Sequence, residues 1–409
     1  MAKKPDPRLT DQQRFDWLRL VRSENVGPRT FRALITKCGG ARAALEALPD
    51  LARRGGATRP IRVASADDVE RELIAARKIG VRFIALGEPD YPPVLRQIDS
   101  APPILALRGR AEALQKAAVA IVGSRNASAA GLTFAERLAR GLGQAGYFIV
   151  SGLARGIDQR AHVASLETGA VGVLAGGHGR PYPSDAVPLI ERMAELGAVV
   201  SEMPIEWEPR GRDFPRRNRI VSGLALGTVV VEAARGSGSL ITAKFALDQN
   251  RQVFAVPGSP LDPRAEGTNE LLKQGASICT GADDVLTALA PVRSSDLAAL
   301  LETGDDEGEP LWEEQSLLGV DPESTPRTRP GDEFDDTSGA AFRTGDDAAT
   351  PRERIVALLG PSPITLDELA RAAEASARDV RVALLELELA GRIEFSGDRV
   401  ALRAIAEET

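Results

Sequence analysis

The stretch "VAIVGSRNASAAG", residues 119–131, decides how this chain is read. A short apolar run passes directly into a small, polar, glycine-bearing turn, which is how a parallel-sheet protein goes from strand to helix. Such turns hold phosphate, because backbone amides and the positive pole of the next helix point into them. Yet the turn Gly123-Ser124-Arg125-Asn126 lacks the G-x-G-x-x-G spacing of a dinucleotide loop, and Arg125 takes up room that a pyrophosphate would need. A fixed cation in an open turn suits a phosphate that lies across it rather than one cradled inside it.

Working outward, the same strand-and-turn pattern recurs. Apolar runs predict strands at 82–86, 104–107, 118–122, 147–150, 171–174, 198–200, 228–232 and 252–256. Amphipathic segments such as "LTFAERLARGLGQAG" and "SDAVPLIERMAELG" lie between several of them. Near-continuous hydrophobic strands alternating with helices imply an α/β fold with a mainly parallel sheet covered on both faces. Before it, residues 8–80 show helical periodicity, with Thr10 and Gln13 spaced as a capping box. The turn "SENVGPRTFRALI" resembles a helix-hairpin-helix, in which Gly27 would free backbone amides to meet a phosphate; the alternative is an ordinary two-helix corner. At the far end, "PRERIVALLGPSPITLDELARAAEASARDVRVALLELELAGRIEFSGDRVALR" gives three helices and two short strands, the order of a winged helix. Its third helix, from about Ser376 to Ala390, mixes Arg378 and Arg381 with Asp379, Glu386 and Glu388, so DNA contact and protein contact stay open.

Four domains follow: helical 1–81, sheet 82–290, a linker over 291–350 and winged helix 351–409. The net charge of −7 conceals a split, since residues 302–348 hold 15 Asp/Glu against three Arg. That stretch buries too little apolar surface to fold alone and reads as a disordered, acidic linker; the rest of the chain is basic. No run is apolar enough for a membrane span, no apolar segment follows the basic start, and two distant cysteines fit a reducing, cytoplasmic setting.

Four predicted strand ends carry conspicuous turns. They are "IVGSRNASAAG", "IVSGLARGIDQRAH" (149–162), "VLAGGHGRPYPSD" (173–185) and "TVVVEAARGSGSLITAKFAL" (228–247). Successive amides in such turns form anion-binding nests, and parallel sheets bind ligands at this end of their strands. Between the last two lies "WEPRGRDFPRRNRIVSGLA" (207–225), with Arg210, Arg212, Arg216, Arg217 and Arg219 around Phe214. Guanidinium groups pair with phosphates and an aromatic ring offers a base a stacking surface. Some of these arginines are expected to bridge instead to Glu202 or Asp213.

Catalytic equipment is sparse. There is no G-x-x-x-x-G-K-[ST] loop, the two histidines, His162 and His178, have no evident triad partners, and Asp158 and Glu232 do not form a metal-holding pair. His162, four residues after Asp158, reads as a packing or capping residue. A phosphate surface without a catalyst points to binding, with no cofactor and no metal.

"AIVGSR", "SGLARGID..AH", "FPRRNRIVSGLA", "GSGSLITAKFAL", "VFAVPGS" and "GTNELLKQGA", in this order, resemble the DNA-processing protein A family, DprA or Smf. The resemblance is dense over residues 85–282. It implies an extended Rossmann-like domain that binds single-stranded DNA, flanked by a helical SAM or helix-hairpin-helix-like domain and a winged helix. It further implies a cytoplasmic, dimeric, non-enzymatic mediator that protects incoming DNA in natural transformation (competence) and loads RecA for homologous recombination.

Carried over by motif, Arg125 is the principal phosphate contact beside Gly123 and Ser124, and Phe214 is the aromatic near a base. Arg217 and Arg219 belong to the signature RNR, and Ser237, Gly238 and Ser239 to the SGS turn. Gly152, Arg155, Arg180, Arg212 and Arg216 complete the expected DNA surface, and Leu271 and Leu272 are candidates for the dimer contact. The chain departs from the family at "GGHGRPYPSDA", where Ser184 and Asp185 stand in place of a lysine and Arg180 supplies a charge. Two rival readings are a nucleotide-processing enzyme of the phosphoribohydrolase type, whose catalytic glutamate has no counterpart at Thr242-Ala243, and a duplex-binding winged-helix regulator.

Overall fold

A computed structural model describes residues 8–302, 350–397 and 399–403. They fall into two compact units, one from residues 8–22 and 64–302, the other from residues 23–63, 350–397 and 399–403. Four helices open the chain: α1 (Asp11–Arg22), α2 (Pro28–Cys38), α3 (Ala41–Arg54) and α4 (Ala66–Lys78). α1 and α4 belong to the first unit, α2 and α3 to the second. The capping box at α1 forms, with Gln13 N–H donating to Thr10 Oγ1 and Thr10 N–H to Gln13 Oε1.

The first unit is built on strands β1 (Val81–Ala85), β2 (Ile104–Gly109), β3 (Ala118–Val122), β4 (Phe148–Ser151), β5 (Ala170–Val173), β6 (Ala198–Ser201), β7 (Gly227–Val230), β8 (Gln252–Ala255) and β9 (Ser277–Ile278). They form one sheet in the order β1-β2-β6-β5-β4-β3-β7-β8-β9. From β6 to β9 all neighbours are parallel, whereas β2 runs antiparallel to both β6 and β1. The eight predicted strands are all present; β9 was not expected. α1 is held beside β1 by the buried Glu88, whose carboxylate takes Arg14 at 2.8 Å and the backbone amides of Leu9 and Ala85.

Its helices are α5 (Pro93–Arg96), α6 (Ala129–Gln144), α7 (Ile157–Ser165), α8 (Val187–Leu196), α9 (Asp213–Gly223), α10 (Gly238–Asp248), α11 (Glu266–Lys273) and α12 (Ala282–Glu302). Leu138 and Leu142 of α6, Ile157 of α7 and Leu289 of α12 pack on Val119, Ile121, Ile149, Val229 and Phe254 of the sheet. Each such side chain stabilises the fold by about 1.5–3 kcal/mol. A second cluster joins Met193 and Ile190 of α8 to Val199, Leu153 and Leu174. α12 continues through 291–302, the first part of the expected linker; the remainder of that acidic stretch, 303–349, lies outside the described residues. From β3 the chain builds outward to β6 on one side, then returns to add β7, β8 and β9 on the other. The reversal leaves a crevice beyond the ends of β3 and β7, where open α/β sheets bind ligands.

The second unit contains α2, α3 and a winged helix: α13 (Pro351–Leu358), β10 (Ile364–Thr365), α14 (Leu366–Ala372), α15 (Ala377–Leu389), β11 (Ile393–Ser396) and β12 (Arg399–Leu402). Capping boxes start α13 at Thr350 and α14 at Thr365, and the Ser376 hydroxyl caps α15. The core joins Ile355, Leu359, Leu369, Val380, Leu384, Leu387, Ile393 and Val400.

Candidate nucleic-acid interface

The expected turns converge at the C-terminal ends of the parallel strands. Residues 123–128 follow β3, 152–156 follow β4, 174–186 follow β5 and 231–237 follow β7. Gly156 makes the first two fit together: its φ is +82°, and a Cβ there would lie 2.3 Å from the Ser124 carbonyl oxygen. Only a residue that tolerates positive φ and has no side chain can bring these backbones so close. Ser151 Oγ, donating to the Ile121 carbonyl at 2.6 Å, ties β4 to β3 from below.

Above this frame stands a row of three side chains from three segments. The exposed Arg125 guanidinium lies 5.4 Å from the centroid of the half-buried Phe214 ring at the start of α9. Phe214 in turn meets Tyr182 edge-to-face, with centroids 5.5 Å apart and ring planes 73° apart. Tyr182 is 53% exposed and is joined to Pro183 by a cis peptide. A cation next to two aromatic rings is what a flexible single strand needs, a phosphate contact beside surfaces on which bases stack. Tyr182 was missed in the sequence; its signal was an aromatic between two prolines in a strand-end turn.

The expected arginines divide sharply. Arg125 and Arg212 are exposed, with no ion pair among the described residues. Arg155, Arg180 and Arg216 are also exposed but paired, with Asp185 at 3.0 Å, Glu206 at 3.2 Å and Glu202 at 3.1 Å. The Arg155 and Arg180 pairs are exposed on both sides and contribute about 0–1 kcal/mol each, so a DNA phosphate can take over these guanidiniums at little cost, whereas Arg216 leans on a buried carboxylate.

Arg217 and Arg219, by contrast, are buried and present no free guanidinium at the surface. Arg219 is buried against Glu202, the carboxylate that also holds Arg216. Arg217 lies beneath the turns, donating from Nη1 to the Val173 carbonyl at 2.5 Å. Burial lowers its pKa to about 10, with the nearby Asp158 carboxylate acting against this and Arg125 adding to it. Asp158 is buried as well and accepts from the amides of Gly152 at 3.1 Å and Ala154 at 3.4 Å; desolvation pushes its carboxyl upward while Arg217 pulls it back. Gly152 lies directly against this guanidinium: a Cβ there would sit 2.1 Å from Arg217 Nη1. Arg217 and Asp158 are thus both buried beneath the second turn, each feeling the other's charge without a direct contact.

Gly123 and Ser124 are half-buried at the lip of the first turn. In the fourth turn Ser237 caps α10 and its hydroxyl lies 2.8 Å from that of Ser239, which is buried, while Gly238 is exposed. Asn218 of α9 donates to the Gly238 carbonyl at 3.1 Å, linking the arginine-rich helix to this turn. Leu271 is buried within its own chain, so of the expected dimer pair only the half-buried Leu272 of α11 offers surface; Ile278 is exposed on β9, the edge strand of the sheet.

Glu232 carries the finding that the sequence reading placed wrongly, inside a strand. It stands just past β7, in the crevice, and its carboxylate accepts from the Ser128 amide at 2.9 Å and hydroxyl at 2.5 Å. Ser128 is the N-cap of α6. The helix pole on which a dinucleotide's pyrophosphate would rest is therefore already covered by a side-chain anion. His162 and His178 are buried and uncharged at neutral pH, each pushed down to about 4, chiefly by burial. Among the described residues no group of acids, histidines or cysteines could hold a metal, and no helix is long and apolar enough to cross a membrane.

Three families match successive parts of the chain: DprA-like N-terminal HHH domain over residues 11–75, DNA recombination-mediator protein A over 82–290, and DprA winged helix domain over 340–398. A DNA processing protein DprA of Bacillus subtilis is 41% identical over 222 residues, which is 54% of this chain and 75% of that one. Protein Smf of Synechocystis is 32% identical over 333 residues, covering 76% of this chain and 77% of its own. Among solved structures, DNA processing protein A from Streptococcus pneumoniae superposes with a TM-score of 0.57 at 31% identity, over 68% of this chain and 98% of that one.

Proposed function

Because the chain belongs to the DNA recombination-mediator protein A family, whose members are DNA-binding mediators and not enzymes, we propose that it binds single-stranded DNA across the strand ends of its sheet. The observation that carries this reading is the row Arg125, Phe214 and Tyr182. Phosphates would meet Arg125 and Arg212, then recruit Arg155 and Arg180 from their surface pairs, with the exposed Arg216 adding its charge from beside the buried Glu202. Bases would stack on Phe214 and Tyr182, and Gly123, Ser124, Ser237 and Gly238 would present backbone or hydroxyl groups at the margins. Glu232 keeps a small nucleotide phosphate off the α6 pole, which favours a strand lying over the turns. Arg217, Arg219, Gly152 and Ser239 hold the surface in shape from beneath.

The covered strand would be protected in the cytoplasm and handed to RecA during DNA uptake. Leu272 of α11, and Ile278 on the edge strand, would form a dimer contact that aligns two such surfaces. Titration of labelled single strands at rising salt, with duplex as competitor, tests the binding. The reading expects a salt-dependent affinity with little base preference and weak competition by duplex; equal affinity for duplex would overturn it.

A further inference from the structure

The face of α15 that enters the major groove in a DNA-reading winged helix is covered here by the protein itself. Leu385 and Leu389 are buried, yet neither belongs to the winged helix's own core, which uses Val380, Ala383, Leu384 and Leu387 of the same helix. Their side of α15 packs on α2 and α3. Just beyond α3, Gly55 meets the helix so closely that a Cβ would lie 1.9 Å from the Glu386 carbonyl oxygen. Asn25, in the turn before α2, donates to the Leu389 carbonyl at 2.9 Å, and Arg352 holds the buried Glu386 carboxylate at 3.2 Å. The β11–β12 hairpin is engaged too: Arg29 donates to the Gly397 carbonyl at 2.6 Å and lies 5.6 Å from the Phe395 ring centroid.

We infer that the winged helix is a protein-docking module rather than a duplex reader, and that its partner surface is the α2–α3 pair. The charges support this over a DNA reader held in reserve. Over residues 377–402, Arg378, Arg381, Arg392 and Arg399 are outnumbered by Asp379, Glu386, Glu388, Glu394 and Asp398. Undocking would turn two of those acids, Glu386 and Glu388, toward any DNA backbone, and like charges repel there. Docking also engages both sides of the turn before α2 through Asn25 and Arg29, while Gly27 itself faces open space.

Gly55→Leu in the full-length chain tests the inference, because Gly55 has an ordinary φ of −67° and lies outside the winged-helix core. Hydrogen exchange should show protection lost together in residues 45–54 and 385–389, while residues 355–369 stay protected and report an intact winged helix. Duplex DNA affinity should remain within about twofold of wild type, a difference worth only a few tenths of a kcal/mol. Leu389→Asn should behave likewise. Unchanged protection in both variants would overturn the docking, and a tenfold or greater gain in duplex affinity would overturn the assignment by revealing a masked DNA reader. Single-strand affinity, which rests on the sheet, is read in parallel and fails independently.

Discussion

Replacing Arg125 by alanine removes a guanidinium that is exposed, bears no ion pair among the described residues and lies over the Phe214 ring. The Phe214 contact exists without DNA, so its loss barely counts toward binding. What disappears is one charge-assisted phosphate contact, about 1.5–3 kcal/mol. That corresponds to roughly ten- to hundredfold weaker binding of single strands. One fewer phosphate neutralised should also reduce the slope of log K against log salt by about 0.7. Stability should hardly change, within about 0.5 kcal/mol, because no buried group loses a partner. Fluorescence anisotropy with a labelled oligonucleotide over a salt series reads affinity and slope, and a thermal melt reads stability. Arg125→Lys should keep the slope while losing part of the affinity, since a lysine pairs with phosphate as a point charge. An alanine variant with unchanged affinity and slope would refute the reasoning. So would a loss of affinity that simply tracks a loss of fold.

Gly152→Ala should lower stability by about 1–3 kcal/mol in urea titrations, because the new methyl collides with the buried Arg217 guanidinium. His162 and His178 make the fold acid-sensitive: their folded pKa values of about 4 lie below the unfolded value of 6.5, so the unfolded chain gains protons first as pH falls. Stability should therefore hold above pH 6.5 and decline toward pH 4, losing on the order of 2 kcal/mol per histidine by pH 5. A urea midpoint that stays flat over that window would contradict both assignments. Glu232→Ala should cost about 1–3 kcal/mol by leaving the Ser128 amide and the α6 pole without their anion. Inorganic phosphate at constant ionic strength should then raise the melting temperature of the variant and leave wild type unmoved.

Much of this was legible because the sheet's strands are nearly unbroken apolar runs, and β3, buried along its whole length, shows that pattern most clearly. β9 escaped because two residues give no periodicity, and the antiparallel β1 and β2 read like the parallel strands because they too are largely apolar. Arginines in a row look alike in a sequence, so the division within "FPRRNR" did not show. Helical spacing could have revealed it for Arg217, since Asp213, Arg217, Ile220 and Leu224 recur at three and four residues and are all buried; Arg219 shares the stripe of the exposed Arg212 and Arg216, and its burial against Glu202 gave no such signal. Glu232 was hidden by its place at the end of "TVVVE", where it reads as the last residue of a strand. The docking of α15 was not legible at all, because it joins residues more than 300 apart in the chain.

The central claim is that a single strand runs over the row Arg125, Phe214 and Tyr182. Photocross-linking the full-length protein to a thiothymidine-substituted oligonucleotide, followed by peptide mass spectrometry, tests it most directly. Cross-links concentrated at Tyr182 and Phe214, and lost on Arg125→Ala, are the predicted result. Cross-links confined to residues 377–403 of the winged helix, with Tyr182 and Phe214 unmodified, would contradict it.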